Sequence, residues 1–321
     1  MRKALVRWYR LLADPDRLKR RLLIRRKGVP FSTRLEYDAV KRPSHGYGVY
    51  HAALQARSLG LKAISAIEFG VAWGDGLRDL VHIARRVQNE TGIEVQVWGF
   101  DTGEGMPPAR DYRDLPYVWT TGLFQPRPKQ RERGIKGATM VIGDVGKTVP
   151  GFFESHEGVA PVGFIAIDVD YYSSTVDVLK LFDAPAERML PRVMCYVDDC
   201  IGDDHEIHCE FVGELLAIRE FNESHEKRKI AKIHGLRHKR KIQQPWNDMM
   251  FAVHLFDHPK YAAYTNPRWI PPAMAAKKPA MNGAAGNGPP VSSPANGALN
   301  GAASAKPDVV VRAGLNGAAK R

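Results

Sequence analysis

Short apolar runs alternate with stretches of helical periodicity along the middle of the chain. Each run is too short for a helix and is bounded by polar or glycine residues, which is typical of buried strands. The predicted strands are 63–69, 94–100, 138–142, 163–169, 193–197 and 249–256. The predicted helices among them are 77–88, 174–182 and 206–221, with Ser174 as the cap of the second. This alternation predicts an α/β fold with a mostly parallel sheet covered by helices on both faces.

Charge and composition divide the chain into three parts. The whole chain carries a formal net charge of +12 over 321 residues, but residues 1–27 account for +9 and residues 272–321 for +5. The body is therefore slightly acidic. We predict a basic helical extension over 1–60, a folded domain over 61–271 and a disordered tail rich in Ala, Gly, Asn and Pro over 272–321. An acidic body argues against a nucleic-acid enzyme, although 227–241 is a basic run.

The first 27 residues predict two short basic helices separated by Asp14-Pro15-Asp16. We favour an amphipathic pair packed on the domain, and the alternative is a weak contact with an anionic membrane surface. The sequence lacks the long apolar stretch of a signal peptide or membrane span. Its three cysteines cannot all pair with one another, so we expect a cytoplasmic protein. The sequence leaves the oligomeric state open, and a homo-oligomer is one alternative.

A glycine-rich turn follows the first predicted strand. Residues 68–76 read E-x-G-x-x-x-G-x-G, with Glu68, Gly70, Gly74 and Gly76 at the fixed positions. Glycine lets the backbone turn tightly and approach a ligand closely. The second strand ends at Asp101, where a carboxylate suits the hydroxyls of a ribose. The third is followed by Asp144, which suits an adenine amino group.

The same turn has two other interpretations, a tight strand–helix connection without a ligand and an NAD site. The spacing differs from the G-x-G-x-x-G of NAD enzymes. A carboxylate at Glu68 would also repel a pyrophosphate, whereas it suits the cationic amino group and sulfonium of S-adenosylmethionine (SAM). An NAD-dependent oxidoreductase is therefore the less favoured alternative.

Two pairs of aspartates end two successive predicted strands. Asp168 and Asp170 end the fourth strand, and Asp198 and Asp199 end the fifth. If these strands are neighbours, about 4.8 Å apart, the four carboxylates converge and need a neutralising partner. A hard divalent cation such as Mg²⁺ suits oxygen ligands. The alternative is that single aspartates cap helices or pair with arginine.

Taken together, these motifs resemble those of class I SAM-dependent methyltransferases, and most of all the macrocin O-methyltransferase group. The resemblance covers roughly residues 61–258 and rests on the segments 68–76, 100–107, 168–175 and 197–199. It implies a Rossmann-like sheet with an antiparallel last strand. It also implies that Asp168, Asp198 and Asp199 bind Mg²⁺ and that Asp170 is the general base for methylation of a hydroxyl.

The chain departs from this group at two positions near the expected substrate pocket. Gly103 stands where the group usually has an aromatic residue, and Cys200 stands where it often has Tyr. Other aromatic residues are therefore candidates for the pocket wall. These candidates are Tyr47, Tyr171, Tyr172 and Trp119.

The residues favour a SAM-dependent O-methyltransferase acting on a hydroxylated small molecule or a sugar-bearing natural product. The alternative of another class is a catalytically silent methyltransferase-like module attached to a membrane or nucleic acid through its basic N-terminus. A zinc site is a further alternative, because one segment carries four residues of zinc-ligand type at an unusual spacing. These residues are Cys200, His205, His208 and Cys209.

Overall fold

The computed structural model describes residues 14–125, 134–263 and 265, and its centre is a seven-stranded sheet. In chain order the strands are β1 (Ala63–Phe69), β2 (Glu94–Asp101), β3 (Thr139–Ile142), β4 (Val162–Ile167), β5 (Met189–Val197), β6 (Arg228–Lys232) and β7 (Met250–Leu255). Their order in the sheet is β3-β2-β1-β4-β5-β7-β6. All pairings from β3 to β5 are parallel, and β7 runs antiparallel to both of its neighbours. The predicted Rossmann-like sheet with an antiparallel last strand is confirmed.

Helices surround the sheet. They are α1 (Pro15–Arg25), α2 (Phe31–Glu36), α3 (Pro43–Ser58), α4 (Asp75–Thr91), α5 (Val145–Thr148), α6 (Phe152–Ser155), α7 (Tyr172–Leu179), α8 (Gly213–Ser224) and α9 (Leu236–Lys239). Two apolar clusters, one on each face of the sheet, pack the strands against these helices. The central strands β1 and β4 are buried along nearly their whole length, as continuous apolar runs in a parallel sheet require.

Helix α3 belongs to the core although it precedes the first strand. Its residues Val49, Ala52, Ala53 and Ala56 are fully buried against the sheet and α4. Small side chains at a spacing of three and four residues let a helix approach its neighbours closely. This helix therefore brings the residues at its N-terminus to the edge of the sheet where the strands end.

Several predicted boundaries are corrected. Helix α7 begins at Tyr172 with Tyr171 as its N-cap, so Ser174 lies inside the first turn and caps nothing. The helix predicted over 206–221 begins at Gly213, because the preceding residues form turns and bends. Strand β6 lies within the basic run 227–241 and was not predicted, because three of its five residues are basic.

Part of the predicted N-terminal extension lies within the described residues. One of its two predicted helices is α1, whose N-terminus is capped by the Asp14 side chain. The other prediction, over residues 1–13, and the predicted disordered tail over 272–321 lie outside the described residues. In the described part of the chain, no helix is both long enough and apolar enough to cross a membrane.

Candidate active site

A cavity of about 750 Å³ opens at the carboxyl ends of β1, β2, β4 and β5. Ligands of open α/β sheets bind at this edge, beside the point where the strand order reverses, which here lies between β1 and β4. Nine of the ten predicted site residues line it. They are Glu68, Gly70, Gly76, Asp101, Asp144, Asp168, Asp170, Asp198 and Asp199. Gly74, the tenth, is not part of the cavity wall and is the N-cap of α4.

The glycines of the turn are required by packing and by backbone conformation. Gly70 has φ +85°, and a Cβ on it would overlap the carbonyl oxygen of Asp168, the residue after the neighbouring strand β4. Gly74 has φ +83°, a left-handed conformation that favours glycine. A Cβ on Gly76 would overlap Oε1 of Glu68. The turn therefore lies directly against the end of β4, where the aspartates begin.

Glu68 is buried at the end of β1, and its Oε2 has no hydrogen-bond partner among the described residues. Burial raises the pKa of this carboxyl to about 8, although the nearby charge of Arg42 lowers it. Its neighbour His45, whose Nε2 lies 3.9 Å from Oε2, has a pKa lowered by burial to about 3. At pH 7 both groups are therefore mainly neutral in the free protein.

Asp101 holds the glycine-rich turn in place. Its Oδ2 accepts hydrogen bonds from the backbone amides of Val71 and Ala72 at 2.8 and 2.9 Å, and its Oδ1 accepts one from Gly103 at 2.6 Å. Asp144 caps α5 by accepting a hydrogen bond from the Gly146 amide at 2.7 Å. Both aspartates thus stabilise backbone turns, and their roles toward a ribose and an adenine stay predictions.

The two aspartate pairs come together, because β4 and β5 are adjacent. Burial and mutual repulsion raise the pKa values of Asp168 and Asp199 well above the usual range. The same two effects raise the pKa of Asp170 to about 7, with Asp198 as the main repelling charge. Asp198 accepts a hydrogen bond from the Tyr196 hydroxyl. The four carboxyl groups therefore line one cavity and repel one another.

The backbone of Asp170 is strained. Its φ is +59°, a left-handed value that residues other than glycine rarely adopt, and the amide of Tyr171 donates to the carbonyl of Val169 at 2.6 Å. Asp is one of the few residues that tolerate this conformation. The turn gives the Asp170 carboxyl its place on the cavity wall, and strain of this kind concentrates at functional sites.

A fifth carboxyl group, which the sequence analysis missed, joins the two strand ends. Glu214, in the first turn of α8, is fully buried. Its Oε2 accepts from the Asp199 amide at 3.1 Å, and its Oε1 lies 3.5 Å from the Val169 amide. Glu214 thus contacts the backbone of both aspartate segments. No sequence motif signals it, since it stands more than ten residues from either pair.

The oxygen atoms that this carboxyl cluster offers are ligands that suit a hard divalent cation. Its oxygens are carboxylate oxygens, and the buried Oδ2 of Asp199 lacks a hydrogen-bond partner among the described residues. In the same part of the chain, however, no three His, Cys, Asp or Glu side chains stand together as a ready-made metal site. Of the four residues of the zinc alternative, Cys200 contacts the Val197 carbonyl oxygen and His208 contacts Glu206.

Aromatic side chains form the outer wall of the cavity, but they are mostly not the predicted ones. Trp119 lines it as predicted, together with Trp73 and Phe124, whose rings pack against each other. Tyr171 and Tyr172 do not line it. Tyr171 is fully buried, and the Tyr172 hydroxyl donates to Glu220 at 2.6 Å.

Two further residues complete the comparison with the predicted cavity wall: one does not line it, and one lines it without having been predicted. Tyr47, the last of the four predicted aromatic residues, does not line it and packs on Trp246. The sequence analysis also missed Arg42, whose side chain enters the wall from the N-terminus of α3. Nothing in the sequence around Arg42 distinguishes it from the other basic residues of the N-terminal region.

Comparison with known proteins adds similarities of fold. No family model matches the chain, and no curated protein matches it. A calicheamicin methyltransferase, CalS11, aligns at 16% identity and a TM-score of 0.45, covering 75% of this chain and 91% of its own. The O-methyltransferase TomG of Streptomyces achromogenes, solved with SAM, aligns at 14% identity and 0.35, with coverages of 67% and 80%. At such values the fold assignment rests on the strand order seen here, a Rossmann-like sheet with the antiparallel strand β7 next to β5.

Proposed function

We propose that this chain is a SAM-dependent O-methyltransferase that acts on a hydroxyl group of a small molecule. One observation carries the proposal: a single cavity joins the glycine-rich turn after β1 to the acidic cluster after β4 and β5. Its volume of about 750 Å³ lies in the upper part of the range of small-molecule sites, roughly 300–1,000 Å³. The space is sufficient for a nucleoside donor and an acceptor side by side.

The donor half of the cavity is formed by the ends of β1, β2 and β3. Gly70 and Gly76 leave room for the methionine part of SAM, and Glu68 provides an acceptor for its ammonium group. Asp101 would accept from the ribose hydroxyls, and Asp144 would accept from the adenine amino group. The open lone pairs of Glu68 support this arrangement, since its Oε2 is buried without a hydrogen-bond partner in the described structure.

In the acceptor half, Asp170 is the proposed general base. It takes the proton from the acceptor hydroxyl while the oxygen forms a bond to the methyl carbon. The carbon–sulfur bond breaks, its electron pair stays on sulfur, and the products are a methyl ether and neutral S-adenosylhomocysteine (SAH). The strained turn at Asp170 holds the carboxyl in place before the acceptor arrives, so little reorganisation is needed in the reaction.

We further propose that Mg²⁺ assists this reaction. Asp168, Asp198 and Asp199 would hold it, and a bound Mg²⁺ would lower the pKa of the acceptor hydroxyl. Support comes from the donor chemistry of the cluster and from the unpartnered Oδ2 of Asp199. The resemblance to the macrocin O-methyltransferase group supports the same roles and favours an acceptor with neighbouring hydroxyls, such as a sugar-bearing natural product.

The first experiment is calorimetry with SAM, SAH and NAD. We expect SAM and SAH to bind and NAD not to bind, and we expect Glu68→Ala and Asp101→Ala to abolish SAM binding. Transfer of a labelled methyl group from SAM to a panel of hydroxylated acceptors then identifies the reaction. Binding of NAD without SAM would contradict the proposal, and SAM binding without transfer to any acceptor would favour the silent-module alternative.

A specific observation also favours contact of α1 with an anionic membrane surface. Leu18, Arg21, Leu22 and Arg25 lie on one exposed face of this helix, at helical spacing, and Leu22 is 62% exposed. We expect the protein to float with phosphatidylglycerol vesicles and not with phosphatidylcholine vesicles, and the double change Leu18→Ser and Leu22→Ser to weaken flotation. Unchanged flotation in this variant would contradict a role for the α1 face.

A further inference from the structure

The cavity wall is rich in carboxyl groups and poor in cations. Among the described residues that line it, ten are Asp or Glu and two are arginines, Arg42 and Arg110. Arg110 lies 3.3 Å from the carboxylate of Asp177, and its side chain is 61% exposed. An anionic ligand group entering this cavity is repelled by the carboxylates unless it reaches a cation. Arg42 is the cation on the side of the glycine-rich turn.

Arg42 is placed there by an unusual backbone conformation. It precedes Pro43, the first residue of α3, and has φ +45° and ψ +66°. An arginine rarely adopts this left-handed conformation, and strain of this kind is retained where the surrounding structure demands it. The conformation directs the arginine side chain from the N-terminus of α3 toward the turn after β1.

The guanidinium of Arg42 and the carboxyl of Glu68 meet over Gly76. The Cζ of Arg42 lies 3.2 Å from the position a Cβ on Gly76 would take, and Oε1 of Glu68 overlaps the same position. In the described structure, one ion pair involves the Arg42 side chain, a 3.9 Å contact of its Nε with Oδ2 of Asp79. This contact leaves the two terminal nitrogens of the guanidinium available to a ligand.

A cation and a carboxyl side by side match an α-amino acid group, which carries an ammonium and a carboxylate on one carbon. We propose that Arg42 binds the α-carboxylate of the methionine part of SAM, while Glu68 accepts from the ammonium. This inference rests on the proposed function and adds a residue to it. A guanidinium can hold a carboxylate through two parallel hydrogen bonds, which gives orientation as well as affinity.

The test compares SAH with decarboxylated SAH, which keeps the ammonium and lacks the carboxylate. Calorimetry on the full chain should show that the wild type prefers SAH, and that Arg42→Gln loses roughly 10- to 100-fold of affinity for SAH. The affinity of this variant for decarboxylated SAH should stay unchanged or rise. Arg42→Lys should retain part of the preference, because it keeps the charge and loses the paired geometry.

Arg110→Gln is the matched control, since it removes the other arginine of the same cavity and should keep the wild-type preference. If Arg42→Gln keeps the full preference for SAH, or weakens both ligands equally, the inference is wrong. If Arg42→Gln fails to fold, Arg42→Lys decides by the same comparison. Failure of the wild type to bind either ligand would instead overturn the proposed donor site itself.

Discussion

At Glu68, burial and a bound ligand shift the pKa of the carboxyl group in opposite directions. Burial raises the pKa of this carboxyl to about 8, so the free protein holds the proton at pH 7. An ammonium group beside the carboxyl favours the ionised form and lowers the pKa again. Binding of SAH at pH 7 in metal-free buffer should therefore release up to about one proton, and the affinity should rise as the pH rises from about 6 toward 8.

Calorimetry of SAH binding in buffers of different ionisation enthalpy measures this release. Glu68→Gln has nearly the same shape and cannot ionise, so its binding enthalpy should not depend on the buffer. A wild-type enthalpy that is also independent of the buffer would contradict a protonated Glu68 in the free protein.

At Asp170 the backbone conformation shapes the turn and the carboxyl group is the proposed base. The substitution Asp170→Asn changes the second and keeps the first. Asn tolerates the left-handed conformation as Asp does, so Asp170→Asn should fold and bind SAH with unchanged affinity. Loss of the general base should lower kcat by roughly 10²- to 10⁴-fold. Single-turnover methyl transfer measures the effect. A variant that keeps most of its kcat would exclude Asp170 as the base.

At the scale of elements, six of the seven strands and helix α4 were predictable, whereas β6 and the start of α8 were not. β1, β2 and β7 fall within one residue of their predicted ends, because continuous apolar runs between polar residues mark buried strands. β6 was not predicted because three of its five residues are basic and only Ile230 is buried, as an edge strand allows. α8 begins seven residues later than predicted, since Glu206 and its neighbours form turns around the cavity rim.

Helix α8 serves the site through one side chain at its first turn. Glu214 accepts from the Asp199 amide and lies near the Val169 amide, so it fixes the spacing of the two aspartate segments. Removing a buried acceptor leaves amides without a partner, at a cost of about 1–3 kcal/mol. Glu214→Ala should lower both the stability and the kcat of the protein, and Glu214→Gln should restore most of the stability, because its amide oxygen can still accept.

Glu210→Ala, on the exposed segment before α8, is the matched control and should change neither quantity. Chemical denaturation and methyl-transfer assays give the two readouts, and SAH affinity separates the acceptor half of the site from the donor half. Equal kcat values for Glu214→Ala and Glu210→Ala would show that Glu214 does not position the aspartates.

At the scale of the molecule, the metal proposal concerns charge balance across the whole cavity. If Mg²⁺ neutralises the acidic cluster, EDTA should abolish methyl transfer and added Mg²⁺ should restore it. Asp198→Asn should weaken the restoration and require a higher Mg²⁺ concentration. Calorimetry with Mg²⁺ alone measures binding apart from activity. Full methyl transfer in EDTA would exclude the proposed role of Mg²⁺ and would leave the methyltransferase proposal unchanged.

The site as a whole was predictable to the extent that it sits at strand ends. Glu68 and Asp101 lie at the ends of β1 and β2, and the aspartates come just after β4 and β5, so the parallel sheet brings them all to one edge. Arg42, Trp73 and Glu214 reach the same place from helices or turns, and their positions depend on backbone angles and packing that no periodicity encodes. The protonation state of Glu68 depends on burial, which the sequence alone does not show.

The position of β1 in the middle of the sheet has a thermodynamic consequence. Its two neighbours are β2 and β4, so β1 connects the donor half of the cavity to the acceptor half, and both are lost together when that strand unfolds. A ligand of either half then stabilises the entire domain by mass action, by about 2.7 kcal/mol at one hundred times its Kd. For a domain of this size that corresponds to roughly 5–10 °C in Tm. Melting curves recorded with SAH already bound would therefore report acceptor candidates one by one, before any methylated product is known.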